Sequence, residues 1–387
     1  MSSFSRVTKF KRFFVASVFL VSIYAFASHG VYKAERPINR MLRSSTPFQE
    51  VQDHTPKTNT EEYTMRSPLS RNSKGSVSCS HESKSGDSTL LRLNNFFRNE
   101  TEWKAEGAFN IFLIETSCDS KPNYRFWCSV ESMAQQNPKG IVWYVMTSPV
   151  VDLSDGLVKQ LLQKYKNLRL VTVDLDDVFE GTPLEELYRS GAWHSNATKW
   201  PAANLSNMMR KAMVWHAGGF YSDLDVICIS PVTELRNVIG LAEFNLVNGA
   251  NFHFDRHHPM LEKFMVYLNE HFNPTVWGMN GPRTVSAVLR SVCKENVLHQ
   301  GLQCDGTKIL PHAAFSPIQP HLNPMFFQKT AIKDMHERFP GSYVIHVWNR
   351  ISRVLPVIKD YGTIYDEASK RFCPLSRELA TKKSKIY

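Results

Sequence analysis

Two carboxylates one residue apart, Asp223 and Asp225, follow a double glycine in the stretch Ala217-Gly-Gly-Phe-Tyr-Ser-Asp-Leu-Asp225. Carboxylate oxygens suit a hard divalent cation, and two of them leave coordination positions open for phosphate oxygens. The sequence from Met213 to Ile229 reads as the end of a helix, a glycine break, and a strand whose first turn carries both aspartates. On a strand, residues two apart face the same way, so the pair is expected to reach one ion. Gly218 and Gly219 supply the backbone freedom that a helix C-terminal cap requires.

Competing readings exist for each of these residues. An Asp-x-Asp pair is often a solvated turn, and the chain holds a second one, Asp174-Leu-Asp176. Asp223-Leu-Asp-Val226 also resembles the nucleophile motif of haloacid-dehalogenase-type phosphatases, although that motif follows a continuous apolar strand and this one follows two glycines. A helix predicted over about 202–216 places Leu205, Met208, Met209, Ala212 and Met213 in its core stripe and turns Asn207, Arg210 and Val214 elsewhere. Arg210 is then either a surface charge or a cation aimed at phosphates held by the Asp pair. Asn248 and Asn280 fall in Asn248-Gly-Ala250 and Trp277-Gly-Met-Asn-Gly-Pro282, which read as polar turns. His346 ends a last predicted strand within 341–349, where a histidine is either a packed core residue or a ligand.

The elements that must position these groups alternate. Strands are predicted at 111–114, 141–146 and 168–173, and helices at 129–136 and 157–165. This is an α/β pattern with a largely parallel sheet, helices on both faces and ligands at the carboxyl ends of the strands. The rest of the chain reads as three preceding segments. Residues 1–12 carry Arg6, Lys9, Lys11 and Arg12 as a cytoplasmic tail, and 13–32 form an uncharged apolar run long enough for a transmembrane signal-anchor. The alternative there is a signal peptide cleaved near Ala25-Phe-Ala27. Residues 33–106 are polar and read as a flexible stem, leaving 107–387 as the folded domain. Glycosylation sequons stand at Asn99 and Asn196; a third, at Asn204, lies in the predicted helix.

Composition sets the outer bounds. The 387 residues are 42% hydrophobic and 21% charged, which are globular values for one large domain or two ordinary ones. A net charge of +10 fits anionic lipid or phosphorylated substrates; without zinc-finger or RNA-binding spacing, nucleic acid ranks last as a partner. Of seven cysteines, Cys118 and Cys128 lie close together, as do Cys293 and Cys304, and both pairs are expected to form disulfides of a secretory-pathway protein. Cys228 is expected to be a buried thiol, and Cys79, unpaired in the stem, to allow a homodimer.

In order along the chain, Phe112-Leu-Ile-Glu-Thr116, Cys128-Ser-Val-Glu-Ser132, Gly218-Gly-Phe-Tyr-Ser-Asp-Leu-Asp225, Asn248-Gly-Ala250, Trp277-Gly-Met-Asn-Gly-Pro282, His346-Val-Trp-Asn349 and Cys373-Pro374 resemble the alpha-1,4-glycosyltransferases, the family that includes the lactosylceramide 4-alpha-galactosyltransferases. The resemblance spans about 109–374. It implies a type II Golgi membrane enzyme with a GT-A fold, a Rossmann-like mixed sheet, using manganese and a UDP-sugar, UDP-galactose or UDP-N-acetylgalactosamine. It further implies retaining transfer onto a glycosphingolipid. Carried onto this sequence, it places Glu115, Thr116, Asn207, Arg210, Tyr221, Asp223 and Asp225 at the donor. Asp223, Asp225 and His346 become metal ligands, while Asn248 and Asn280 orient reacting hydroxyls. Two positions depart from the pattern: Asn207 stands where relatives have Asp, and Asn280 where they have Gln. A membrane-anchored, non-catalytic glycan-binding or scaffold protein is the alternative.

Overall fold

The computed structural model describes residues 69–71, 77–79, 89–332, 334–382 and 386. The predicted anchor over 13–32 and most of the predicted stem lie outside them. Among the described residues, no helix is long and apolar enough to cross a membrane.

Asn110–Glu115 is buried at every position, and Ile141–Met146 at all but its first, as expected of parallel strands covered on both faces. They pair in parallel with each other, and with Gly219–Ser222 on one side and Leu168–Thr172 on the other. Leu246–Phe254 then adds antiparallel to Gly219–Ser222 and carries the sheet on to Val238–Glu243 and Thr307–Leu310, for nine strands in all. Strand alternation divides the core in two. Phe112, Ile114, Trp143, Val145 and Tyr221 pack under the helices Pro201–Ala217, Pro259–His271 and Thr284–Cys293. Ile111, Leu113, Val142, Tyr144 and Phe220 pack under Tyr124–Gln136 and Leu157–Lys164. The mixed sheet with helices on both faces is the architecture the sequence implies. The helix expected at 129–136 starts five residues earlier, because Asn123 caps it by accepting the Arg125 and Phe126 N–H groups.

The stem boundary at 106 moves back. Asn94–Asn95 joins the edge of the main sheet beside Leu168–Thr172, and Leu90–Arg92 pairs with Val150–Asp152. Phe96 is fully buried between Trp103 and Trp143, and Asn110 donates to the Trp103 carbonyl. Phe96 and Trp103 in one core, with Phe97 against it, and Leu93 and Leu91 at the other, fold this stretch onto the sheet.

A third core lies beyond the sheet. Val226–Cys228 leaves the main sheet and pairs antiparallel with Val344–His346, and Ile227, Ile229, Ile345, Val347 and Phe372 pack behind the pair. The last strand therefore belongs to a separate two-stranded sheet. Its surroundings are tied to Tyr124–Gln136 by several bonds, some of which join the start of the last helix. Cys128 is bonded to Cys373, and buried Glu131 accepts the Leu375 N–H (3.1 Å) and the Ser376 N–H and hydroxyl (both 2.8 Å) at the start of the helix Pro374–Ala380.

The remaining disulfides are Cys79–Cys118 and Cys293–Cys304. The expected Cys118–Cys128 bond is not formed: Cys128 sits on a helix facing the third core, while Cys118 lies in the turn after the Asn110–Glu115 strand. Cys79, joined to Cys118, is not available to link two copies as the sequence suggested. Cys228 is the buried free thiol expected, and burial pushes its pKa up to about 12.

Candidate active site

The site forms where the chain passes from one sheet to the other. Gly218 (φ 66°) and Gly219 (φ 132°) break the helix Pro201–Ala217 and lay the chain against Asn110; a Cβ on Gly219 would come within 2.3 Å of the Asn110 carbonyl oxygen. Gly219–Ser222 then runs parallel to Asn110–Glu115, so its end lies at the carboxyl edge of the parallel strands, where ligands of such sheets bind. Asp223 and Asp225 occupy the turn between Gly219–Ser222 and Val226–Cys228 and not a strand, as was expected. A turn forms because the chain must leave one ladder and enter another. The antiparallel register puts His346 opposite Val226, next to Asp225.

Each aspartate is held separately. Asp223 Oδ1 is 3.0 Å from Arg210 Nη1 and accepts the Tyr221 hydroxyl; its N–H donates to the Ala250 carbonyl at 2.8 Å. Asp225 Oδ1 is 3.0 Å from His346 Nε2, and its Oδ2 accepts the Asn349 N–H at 2.9 Å. Burial pushes the Asp223 carboxyl up, opposed by Arg210 and reinforced by Asp225. Burial also acts on Asp225, but His346 outweighs it and lowers that carboxyl. The imidazole is raised in turn: burial opposes its charged form, and Asp225 more than offsets that. One ligand atom from each of Asp223, Asp225 and His346 lies within 4.8 Å of the others. Two carboxylates and an imidazole at that spacing form a donor set that fits a divalent cation of the manganese type.

The other expected site residues divide. Arg210 was read as pointing at phosphates. Three of its five N–H groups instead donate to protein, to the Ser206 carbonyl (3.0 Å) and hydroxyl (2.7 Å) and the Gly249 carbonyl (2.7 Å), and its guanidinium is ion-paired with Asp223. As placed, it fixes the aspartate. Asn248 and Gly249 were read as a turn but lie within Leu246–Phe254, where the register against Val238–Glu243 slips between Ile239 and Gly240. That irregularity brings the Gly249 and Ala250 carbonyls to Arg210 and Asp223. Asn248 was expected to orient substrate hydroxyls. Its Oδ1 accepts the Ala250 N–H, and its Nδ2 lies 3.4 Å from His346 Nδ1. So placed, Asn248 is a positioning residue for His346.

Asn280 was also expected to meet substrate. It is buried, with Oδ1 accepting the Asn273 N–H and Nδ2 donating to the Asn273 carbonyl and to Asn204, so it closes a loop and presents nothing to the aspartates. Thr116 donates to the Ala202 carbonyl, tying the strand end to the helix start. Glu115 accepts from the Ser117 N–H and hydroxyl and from the Asp119 N–H, which makes it a cap of its own turn rather than a group turned to a nucleotide. Among the expected donor residues, Asn207 is the one whose side chain makes no hydrogen bond to protein; its Oδ1 lies 2.8 Å from where a Cβ on Gly281 would stand. Asp174 of the second Asp-x-Asp pair caps the helix Leu175–Phe179, accepting the Asp176 N–H. Two residues missed in the sequence complete the site: Trp348, whose ring stacks 3.8 Å from that of His346, and Asn349 through its backbone N–H. The His346-Val-Trp-Asn349 string was the available signal for both.

Burial pushes the Glu115 carboxyl up to about 7 from an ordinary 4.5, despite the hydrogen bonds from Ser117 and Asp119. A carboxyl whose folded pKa is raised stabilises the fold while protonated. The contribution is full below about pH 4.5 and is lost as pH rises through 7, a change of roughly 3 kcal/mol. Glu115→Gln should therefore gain stability relative to the parent between pH 5 and pH 8. Thermal melts at the two pH values measure this; parallel pH dependence in the two proteins would refute the assignment.

Comparison with known proteins locates this arrangement. Residues 123–244 match the family model described as "Glycosyltransferase sugar-binding region containing DXD motif", and 253–380 match "Alpha 1,4-glycosyltransferase conserved region". The lactosylceramide 4-alpha-galactosyltransferase of Gorilla gorilla gorilla is 30% identical over 282 residues, covering 70% of this chain and 83% of that protein. The human enzyme of the same name is 30% identical, with 70% and 76% covered. Human alpha-1,4-N-acetylglucosaminyltransferase is 29% identical, with 68% and 78% covered.

Proposed function

Since the chain belongs to the alpha-1,4-glycosyltransferase family, we propose that it transfers a hexose or N-acetylhexosamine from a UDP-sugar to the terminal sugar of a glycosphingolipid, in alpha-1,4 linkage and with retention. The observation that carries this reading is the convergence of Asp223, Asp225 and His346 at the carboxyl edge of the parallel strands. A divalent ion there, manganese in our reading, would neutralise charge developing on the leaving diphosphate. Arg210 and Tyr221 orient Asp223, while Asn349, Asn248 and Trp348 orient Asp225 and His346. Asn207, with its amide unengaged, is the group we assign to the donor sugar. With no protein nucleophile in the set, retention follows from attack on the face the diphosphate leaves, the leaving phosphate oxygen taking the acceptor proton.

The glycolipid acceptor is supported by the names of the relatives, and residence in the Golgi membrane by the basic tail and apolar run at 1–32. Three disulfides suit an oxidising compartment. The test is release of UDP with manganese from UDP-galactose, UDP-N-acetylgalactosamine and UDP-N-acetylglucosamine, with lactosylceramide as acceptor and the product linkage read by NMR. An alpha-1,4 product is expected from one donor. No release from any donor, or a beta linkage, would overturn the reading.

A further inference from the structure

A second cluster stands beside the aspartate turn, and the chemistry above makes no use of it. Trp277 is 45% exposed on the turn that precedes Met279–Arg283. Trp200 meets it edge to face with ring centroids 5.3 Å apart. The Arg350 guanidinium lies 3.7 Å from the Trp277 centroid and 5.6 Å from that of Trp200.

Three connections place this cluster at the rim of the site. Arg350 follows Asn349, whose N–H holds Asp225. Trp200 precedes the helix that carries Arg210 to Asp223. Asn280, three residues after Trp277, bonds to Asn204 in the first turn of that same helix. Two segments that hold the aspartates, the helix Pro201–Ala217 and the stretch through Asn349, thus adjoin members of the cluster.

An indole held by Trp200 and Arg350 and still nearly half exposed offers a rigid apolar plate at little entropic cost to a ligand. The Arg350 guanidinium lies over one face of the ring, and the exposed remainder of the indole is an apolar plate. A pyranose matches such a plate. Its axial C–H groups are weakly positive and stack on the negative face of an indole. We propose that Trp277, backed by Trp200 and flanked by Arg350, is the stacking subsite for a sugar ring of the acceptor. This rests on the transferase reading above and commits the cluster to carbohydrate. The exposed Ile351 and Val354 nearby make a lipid chain the rival occupant.

The experiment measures binding, so that it does not depend on turnover. Methyl β-lactoside is titrated into the full chain in the presence of UDP and manganese, and followed by saturation-transfer NMR. Trp277→Ala should weaken lactoside binding about tenfold, and Trp277→Tyr should stay within about threefold of the parent. UDP affinity and the thermal melt, measured on the same samples, report whether the variants are folded. Equal lactoside affinity in Trp277→Ala overturns the proposal, as does failure of the parent to bind lactoside. A loss seen with lactosylceramide in micelles but not with methyl β-lactoside assigns the cluster to the lipid and also overturns it. Absence of UDP release in the transfer assay speaks only to the transferase reading, since the titration needs no turnover.

Discussion

Asp225→Asn is expected to lower kcat by at least about a thousandfold while the protein still folds. Charge neutralisation on a leaving diphosphate is worth several kcal/mol, and each 1.36 kcal/mol is a factor of ten in rate. The amide oxygen of Asn can still accept the Asn349 N–H, so the turn between the two sheets keeps its backbone anchor. What is lost is the negative charge that faces His346 and any cation. Asp223→Ala is a less clean test. It strands the Arg210 guanidinium, whose side chain is 9% exposed, and an unpaired buried charge costs about 3–5 kcal/mol in stability. Initial rates with manganese, a melting curve and a manganese titration by electron paramagnetic resonance make the comparison complete. Turnover within a factor of ten of the parent would remove Asp225 from the site. Unchanged manganese affinity would separate the residue from the metal.

Replacing both Cys128 and Cys373 by Ser is expected to have the largest effect on stability. The bond closes a loop with a sequence separation of 245, and chain-entropy arguments put such a cross-link at about 5 kcal/mol. The Cys293–Cys304 bond spans only 11 and is worth about 3 kcal/mol on the same scale. Domains are stable by roughly 5–15 kcal/mol, so each change removes a substantial share of the total and the first removes the larger one. Glu131 alone would still hold the start of the helix Pro374–Ala380, so partial folding is expected rather than none. Denaturant melts of the two double variants under matched conditions give the comparison. If the Cys128/Cys373 variant lost no more than the Cys293/Cys304 variant, the long loop would not be the source of the stabilisation.

What the sequence revealed follows from the range of each interaction. The strand at 141–146 was legible because burial on both faces leaves an unbroken apolar run. The two aspartates were legible as a pair but not as a turn, since nothing local says that Val226–Cys228 will pair with a strand more than a hundred residues away. The same distance hid Cys128–Cys373 and made the neighbouring Cys118 look like the partner. Asn280 and Asn248 were misread for a related reason. An asparagine near a glycine fits a substrate contact and a loop clamp equally well, and only the presence of Asn273, Asn204 and His346 decides. The folded part of the predicted stem was hidden because its apolar residues, Leu91, Leu93, Phe96, Phe97 and Trp103, are spaced among polar ones and find their partners only on the distant sheet.

The split of the aspartate–histidine cluster between two distant parts of the chain has a consequence for biosynthesis. Asn349 lies 124 positions beyond Asp225. At 5–20 residues per second, the ribosome needs roughly 6–25 s to cover that interval. Throughout it, the nascent chain carries its aspartates without His346 or the Asn349 N–H, and Cys128 waits longer still for Cys373. The cluster of Asp223, Asp225 and His346 is therefore among the last parts of the molecule to come into being, and a prematurely terminated chain carries a turn with two carboxylates and neither His346 nor the Asn349 N–H to hold Asp225.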